Sequence, residues 1–444
     1  MALWKNTYIN PRFFKAFIAL VLLAVLSYVI SGLFFWIPLL TLLLGALVVA
    51  DIAMLYVGQT KRVEAERICG RKFSNGDPNP VDLYLRNHYP FAVRLHLLEE
   101  LPFQFQKRDM AFRLSANAGS EEHLSYSLTP VRRGVYQFGA LNVFVTGPLG
   151  MLSRRFRCAQ HQEVSVYPSF IQMRHYELLA ISNQLQMAGL KKIRRAGSSK
   201  EFEQIDPYVR GDEFRRINWK ATARRNALMV NRYQDEKSQK IYCLINKGRA
   251  MEMPFAGMSL LDYAINATLV LSNIALQRSD KAGVVTFQHQ VENMLPASSQ
   301  SRQLRAIMEM LHREETDYKE ADMQQLYAYS ERRLGSRSLL LLFTNYESIV
   351  SLRRQLPYLK LLNRRHLLVT VFFRNTEVEK LSHCKAEDMR AIYEKGLAEE
   401  LIFQKDLMVQ ELRRAGIAAL LTTPENLTAD TLNKYLEIKA RGSL

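Results

Sequence analysis

A charge-free run constrains this chain more than any other feature. From Ala16 to Ala50 there is no Asp, Glu, Lys or Arg, and nearly every residue is Leu, Ile, Val, Phe, Ala or Trp. An upright helix needs about 20 apolar residues to cross roughly 30 Å of hydrocarbon, so the run is too long for one helix and suits two. The break falls at Ser31-Gly32, with Trp36 and Pro38 just beyond. The pattern predicts spans from Phe13 to Ser31 and from Leu33 to Val57, joined by a turn whose aromatic sits at headgroup level. Asp51 falls within two turns of the second exit, where a carboxylate reaches the interface. A cleaved signal peptide fits less well, because its apolar region is about 7–15 residues and ends at a small-residue cleavage site.

Basic residues flank both outer ends of this hairpin, Lys5, Arg12 and Lys15 before it and Lys61, Arg62 and Arg67 after it. Two spans put both ends on one side of the membrane, and an excess of Lys and Arg marks that side as cytoplasmic. The remainder of the chain is therefore expected in the cytosol. The formal net charge of +17 admits nucleic acid, anionic lipid or an acidic protein and does not choose among them. For a tethered body its simplest consequence is attraction to the negative cytoplasmic leaflet, about 1 kcal/mol per basic residue near the surface. Cys69, Cys158, Cys243 and Cys384 lie far apart without a Cys-x-x-Cys pair and read as reduced thiols. The histidines stand singly, without the spacing a zinc site needs, so no transition metal is expected.

Beyond the apolar run, residues 61–170 alternate apolar and polar in short segments. Examples are Val81-Asp82-Leu83-Tyr84-Leu85, Arg94-Leu95-His96-Leu97 and His123 to Leu128, with turns at Ser74-Asn75-Gly76-Asp77-Pro78 and Thr146-Gly147-Pro148-Leu149-Gly150. That spacing predicts a small antiparallel β-sandwich. Residues 171–239 read as a helix from Ile171 to Ala188 followed by a connector. Between Lys191 and Lys240 stand 14 Lys or Arg against 7 Asp or Glu, which makes the connector basic. From 240 to 444, apolar runs at Lys240 to Ile245, Ala282 to Phe287, Leu339 to Phe343, His366 to Phe373 and Ile417 to Thr422 alternate with helical stretches. Those stretches are Leu260 to Gln277, Arg302 to His312, Met323 to Leu334, Ile349 to Leu362, Ala386 to Ala415 and Thr428 to Ala440. Uninterrupted apolar strands suit a parallel sheet covered on both faces, hence a doubly wound α/β domain whose ligand site lies beyond the carboxyl ends of its strands.

The densest constellation is Glu201-Phe202, then Tyr208, then Arg210-Gly211-Asp212-Glu213-Phe214-Arg215-Arg216-Ile217-Asn218-Trp219-Lys220, with Arg224 just beyond. Gly211 permits a tight turn, and Asp212 can cap a helix in which Phe214 and Ile217 point inward and Asp212 pairs with Arg216 four residues on. One reading is a structural clasp that pins the connector to the α/β domain. The other is a basic docking surface in which Arg215, Lys220, Arg224 and Arg225 meet an acidic partner.

This segment resembles the signature of a bacterial family known as domain of unknown function 58. Its members carry Glu-Phe, Arg-x-Tyr, Gly-Asp-x-x-Arg-x-Ile-x-Trp-Lys and Ala-Arg. One position departs, Asp206 standing where an Arg is usual. The resemblance extends to Arg132-Arg133-Gly134-Val135-Tyr136, Gly147-Pro148-Leu149-Gly150 and, more loosely, Tyr435 to Lys439. It implies a bacterial inner-membrane hairpin, a β-rich middle and a C-terminal domain similar to the von Willebrand factor type A fold. It further implies association with MoxR-type AAA+ ATPases in chaperone or assembly systems.

That fold prompts a comparison with a metal-ion-dependent adhesion site, which has Asp-x-Ser-x-Ser after the first strand and an Asp at a later strand end. Here the first loop is Asn246-Lys247-Gly248-Arg249-Ala250 and the later strand end is Thr344-Asn345. Mg²⁺ is usually held through at least one or two carboxylates, and amides replace them here, so no metal or other cofactor is expected. The loop tops remain candidates for partner binding, with Asn246, Gly248, Arg249, Thr344 and Asn345 as the residues and Arg249 as the charge. No phosphate loop, nucleophile elbow, His-Glu-x-x-His or dinucleotide fingerprint is present. Paired carboxylates such as Glu99-Glu100 and Glu314-Glu315 read as solvated faces. The expected function is a membrane-anchored, non-enzymatic adaptor for a MoxR-type ATPase or its client. The alternatives are an electrostatic binder of anionic lipid or nucleic acid through the basic connector, and a hydrolase using a pocket above the sheet.

Overall fold

The computed structural model describes residues 6–28, 34–56, 62–107, 110–159, 161–181, 202–209, 217–225, 227–233, 238–384 and 388–441. The chain divides into two compact units, Met1–Tyr167 and Pro168–Leu444.

The first unit is a β structure from which two helices emerge. After β1 (Thr7–Ile9) come helix α1 (Pro11–Ser27) and helix α2 (Trp36–Tyr56). The strands that follow are β2 (Val63–Cys69), β3 (Lys72–Ser74), β4 (Asn79–Asn87), β5 (Val93–Glu99), β6 (Met110–Ala116), β7 (Glu121–Leu128), β8 (Gly134–Phe138), β9 (Leu141–Thr146), β10 (Leu152–Cys158) and β11 (Gln162–Tyr167). They form sheets ordered β1-β10-β9-β5-β6, β2-β4-β7 and β3-β11-β8. Alternation does the sorting, as in β4, where Val81, Leu83 and Leu85 are buried and Pro80, Tyr84 and Arg86 are exposed.

Two details differ from the sequence reading. The sheets are mixed, because β3 runs parallel to β11; a three-residue strand carries no alternation from which its direction could be read. The segment before the first helix, read above only as a basic flank, is an edge strand paired antiparallel to β10.

Helix α1 starts before the expected Phe13 and α2 lies within its expected span, while the limits Ser31, Leu33 and Val57 and the turn at Ser31-Gly32 lie outside the described residues. Helix α1 begins at Pro11 because a proline at the first helical position loses no hydrogen bond and has its φ already set. Among the described residues α2 is long and apolar enough to cross a membrane. Asp51 does not reach toward an aqueous interface as expected. It is fully buried, and its Oδ2 accepts hydrogen bonds from the backbone N–H groups of Met151 (3.0 Å) and Leu152 (2.9 Å). Gly147 packs against the same carboxylate, where a Cβ would lie 3.0 Å from Oδ1. One turn further on, the Leu55 carbonyl, left without an intrahelical partner near the helix end, accepts from Arg154 Nη1 (2.8 Å) and Tyr89 Oη (3.0 Å). The last turns of α2 thus belong to the β unit.

Two basic and acidic residues also change role. Arg67, counted above as a membrane flank, is buried with Glu99 in an ion pair of 2.5 Å, donates to the Gly139 carbonyl and lies over the Phe138 ring. Glu99 is therefore not a solvated-face residue. Burial raises its carboxyl pKa while Arg67 works in the opposite direction.

The second unit begins with α3 (Phe170–Ile181), then a hairpin of β12 (Phe202–Pro207) and β13 (Met229–Tyr233) with helix α4 (Trp219–Arg225) between its strands. The remaining elements are β14 (Lys240–Asn246), the two-residue β15 (Pro254–Phe255) and β16 (Met258–Ser259), α5 (Leu260–Gln277), β17 (Lys281–Phe287), β18 (Val291–Ser298), α6 (Gln303–His312), α7 (Met323–Arg333), β19 (Leu339–Phe343), α8 (Ile349–Arg365), β20 (Leu367–Phe373), α9 (Thr376–His383), α10 (Met389–Arg414), β21 (Ala418–Thr422) and α11 (Leu427–Arg441). Six of these strands build one sheet ordered β18-β17-β14-β19-β20-β21, and β15 pairs with β16 apart from it. Successive residues of β14 enter opposite cores, Ile241, Cys243 and Ile245 one and Tyr242 and Leu244 the other, so helices cover both faces. Burial pushes the Cys243 thiol up to about 12, which keeps it neutral. The sheet is parallel except for β18, which returns antiparallel beside β17. Its Pro296 fits an edge position and disguises the strand in the sequence. Helix α9, capped by Asn375, is a further element that the sequence reading missed.

The two Asp51 hydrogen bonds predict the cost of removing them. Asp51→Ala leaves two backbone donors unpaired at about 1–3 kcal/mol each, so thermal unfolding of the detergent-solubilised chain should begin at a lower temperature, with Asp51→Asn intermediate.

Candidate functional site

The loops at the carboxyl ends of β14 and β19 bring the five predicted loop residues together. Asn246 is buried; its Oδ1 accepts from the Gly248 N–H (2.7 Å), and its Nδ2 donates to Thr344 Oγ1 (2.9 Å). Gly248 has no space for a side chain, since a Cβ would lie 2.9 Å from the Lys319 carbonyl oxygen and 3.1 Å from Ala321 Cβ. Asn345 donates to the Ala250 carbonyl (3.3 Å) and accepts from Lys405 Nζ (2.8 Å). Arg249 is exposed. These residues do not fit a divalent cation. The amide oxygen is turned to a backbone donor, the threonine hydroxyl is engaged by the amide nitrogen, and position 248 cannot carry a hydroxyl.

Sequence reasoning passed over Lys247, which is the most unusual residue of the loop. Its side chain is 2% exposed, and its Nζ lies 2.7 Å from Glu314 Oε2, 2.5 Å from Glu292 Oε2 and 2.8 Å from the Glu315 carbonyl. Glu314, read above as solvated, is 1% exposed and also accepts from Thr286 Oγ1 and Asn293 Nδ2. A lysine after an apolar strand gives no sign of burial, because its partners lie in other elements far along the chain. Lys247→Met should lower stability by about 3–5 kcal/mol, the cost of leaving a buried carboxylate without its partner. Adding Glu314→Gln should recover most of that loss in chemical denaturation.

A second lysine, Lys405 on α10, donates to Asn345 Oδ1 and to the Tyr346 carbonyl (2.6 Å) and lies 5.8 Å from the centre of the Phe372 ring. Burial lowers its pKa to about 8, with Glu347 acting in the opposite direction. Between about 8 and the ordinary 10.5, the unfolded chain binds the extra proton, so this group's contribution to stability rises with pH over that window. The thermal midpoint of the wild type should therefore gain on that of Lys405→Met between those two pH values.

Beside Asn246 is a cavity of about 420 Å³ lined by Gly248, Arg249, Glu320, Glu347 and Ser351 among others. Glu320 is paired with Arg354. Among the described residues no hydrogen bond joins the Ser351 hydroxyl to a base, and no group of three or more His, Cys, Asp or Glu could hold a metal ion.

The signature segment is placed only in part. Glu201, Gly211, Asp212, Arg215 and Arg216 lie outside the described residues. Phe202 opens β12, and the Tyr208 N–H donates to the Leu228 carbonyl. The expected start of a helix after Asp212 lies outside the described residues, and Ile217, expected on that helix, precedes α4. Ile217 pairs with Val230 in an isolated bridge, and Asn218 Oδ1 accepts from the Ala221 N–H at the start of α4. Trp219, Lys220 and Arg224 are exposed on that helix.

The described residues define a multidomain protein with mixed sheets, one helix long and apolar enough to cross a membrane, and an α/β unit whose strand-end polar groups largely satisfy one another. Residues 204–384, less than half of the chain, match the family described as "Protein of unknown function DUF58". "Uncharacterized protein YeaD" of Bacillus subtilis (strain 168) is 26% identical over 184 residues, covering 39% of this chain and 44% of that protein. The chain thus spans less than half the length of that relative. Among solved structures, the CARDB domain of PF1109 from Pyrococcus furiosus is similar at 14% identity and a TM-score of 0.17, over 24% of this chain and 94% of that one. PapD-like domain 7 of human CEP192 is similar at 14% identity and a TM-score of 0.18, over 24% of this chain and 87% of that one. Likenesses this slight carry no argument about either unit.

Proposed function

We propose that this chain is a membrane-anchored, non-enzymatic adaptor. In this reading α1 and α2 form a transmembrane hairpin with both ends on the cytoplasmic side. The α/β unit, similar to a von Willebrand factor type A domain, recruits a protein partner. The partner is a MoxR-type AAA+ ATPase or its client, a choice that rests on the sequence resemblance. The observation that carries the reading is the loop cluster at Asn246, Gly248 and Thr344. Its polar groups satisfy one another and leave Arg249 exposed, so the cluster presents a fixed surface in place of reactive groups. The exposed Trp219 and Arg224 of α4 are residue types enriched at protein interfaces, and Lys220 beside them adds a second cation.

Affinity purification of the tagged full chain from bacterial membranes in mild detergent tests the proposal. Recovery of an AAA+ ATPase or another stable protein partner is expected, with at least about a tenfold loss for Arg249→Glu combined with Lys220→Glu, as for truncation of paired interfacial charges. Recovery of no partner by the wild type, or equal recovery by the variant, would overturn it.

A further inference from the structure

A cavity of about 220 Å³ opens at the carboxyl ends of β19, β20 and β21. Its walls are mostly apolar, formed by Phe255, Leu260, Phe373, Val378, Leu401 and Ile402. An engineered interior cavity of about 150 Å³ accepts a benzene ring. This one therefore has room for a single ring, or a chain of roughly six to eight carbons, together with a small polar head.

Lys405 lines the same cavity. Its two hydrogen-bond acceptors, Asn345 Oδ1 and the Tyr346 carbonyl, are both neutral. An ammonium carries three donors; two are placed, and one is left for a ligand. Arg374, also on the wall, is held by Glu379 and Asp406. Glu347 acts on Lys405 from an exposed position on the rim. A half-buried ammonium matched mainly by neutral carbonyls lacks a close counter-ion, and in such surroundings a charge-assisted hydrogen bond is stronger than in water.

We propose that this cavity binds a small apolar carboxylate, with its hydrocarbon part against Phe255, Leu260, Phe373 and Leu401 and its carboxylate on Lys405 Nζ. The site does not depend on the adaptor reading, because ligand binding here requires no protein partner. Its chemistry distinguishes an acid from a neutral analogue through Lys405. It distinguishes a ring or short chain from acetate through the apolar surface removed from water.

The full chain in detergent, titrated calorimetrically with 3-phenylpropionate, 3-phenylpropanamide and acetate, tests the assignment. The wild type should bind 3-phenylpropionate about tenfold or more tighter than either of the others, the margin of a charge-assisted hydrogen bond. Lys405→Met should bring the acid-to-amide ratio to about one, and Lys405→Arg should restore part of the preference. Val378→Trp, which fills the cavity, should abolish binding of both ring compounds; Leu401→Trp serves the same purpose if the first variant does not fold. Equal affinity of the wild type for acid and amide would overturn the proposal. So would an acid preference that survives Lys405→Met, or binding that survives a filled cavity. Acetyl-Gly-Phe carries the same ring and carboxylate on a peptide terminus, and its binding in place of the free acid would overturn the small-molecule assignment.

Discussion

The Asp51 carboxylate is the point at which an apolar helix becomes part of a β unit. A polar group that deep in a low-dielectric setting is costly unless hydrogen-bonded, and here the N–H groups of Met151 and Leu152 meet one of the Asp51 oxygens. Gly147 has to be small because the carboxylate lies against it, and Gly150 adopts a φ of +73°, with Arg94 and Arg12 crowding the space a Cβ would take. With the Leu55 carbonyl held by Arg154 and Tyr89, the helix end is fixed through both a side chain and its backbone. An anchor fixed in this way sets the orientation of the β unit at the bilayer in the proposed topology, whereas a flexible tether would set only its distance.

The same rule governs the other buried charges. Arg67 meets Glu99, and Lys247 meets Glu292 and Glu314. At the opposite end of the α/β sheet, Asp280 accepts from Tyr435 Oη, Lys439 Nζ and the Gln239 N–H, which joins α11 to the start of β17. Each of these groups has a named partner inside its own unit, and breaking any one leaves an unmatched charge. Lys405 differs because its two close partners are carbonyls. That difference separates a group serving the fold from one with capacity left for a ligand.

How much of this was legible in the sequence depended on whether the information was local. The apolar runs of β14, β17, β19 and β20 were readable because a strand buried on both faces has no other composition. Edge elements were not. The three-residue β3 carries no pattern, β18 contains Pro296, and β1 precedes the first helix where the basic flank dominates the reading. In the candidate site, Asn246, Gly248, Thr344 and Asn345 could be located by comparison with an adhesion-site loop. Lys247 and Lys405 could not, because what makes them unusual is burial, and their partners lie up to 68 residues away in the chain. Glu99 and Glu314 were misread for the same reason, since a carboxylate beside another carboxylate looks solvated until its partner is known.

The loop cluster also shows why its amides are more than the loss of a carboxylate. If Asn246 carried a carboxylate, one of its oxygens would still lie 2.7 Å from the Gly248 N–H, and that oxygen would be turned inward, away from any ion above the loop. A hydroxyl at position 248 would meet the Lys319 carbonyl and Ala321, so the second ligand of an adhesion site is excluded by packing as well as by sequence. Thr344 Oγ1 already lies in hydrogen-bond contact with the side chain at 246. Three separate contacts therefore hold the loop in a form that satisfies itself, and reversing one substitution leaves the other two in place. A cation-dependent surface changes its affinity with the ion, whereas a surface closed in this way stays constant, and in the proposed adaptor it would leave recognition to exposed groups such as Arg249.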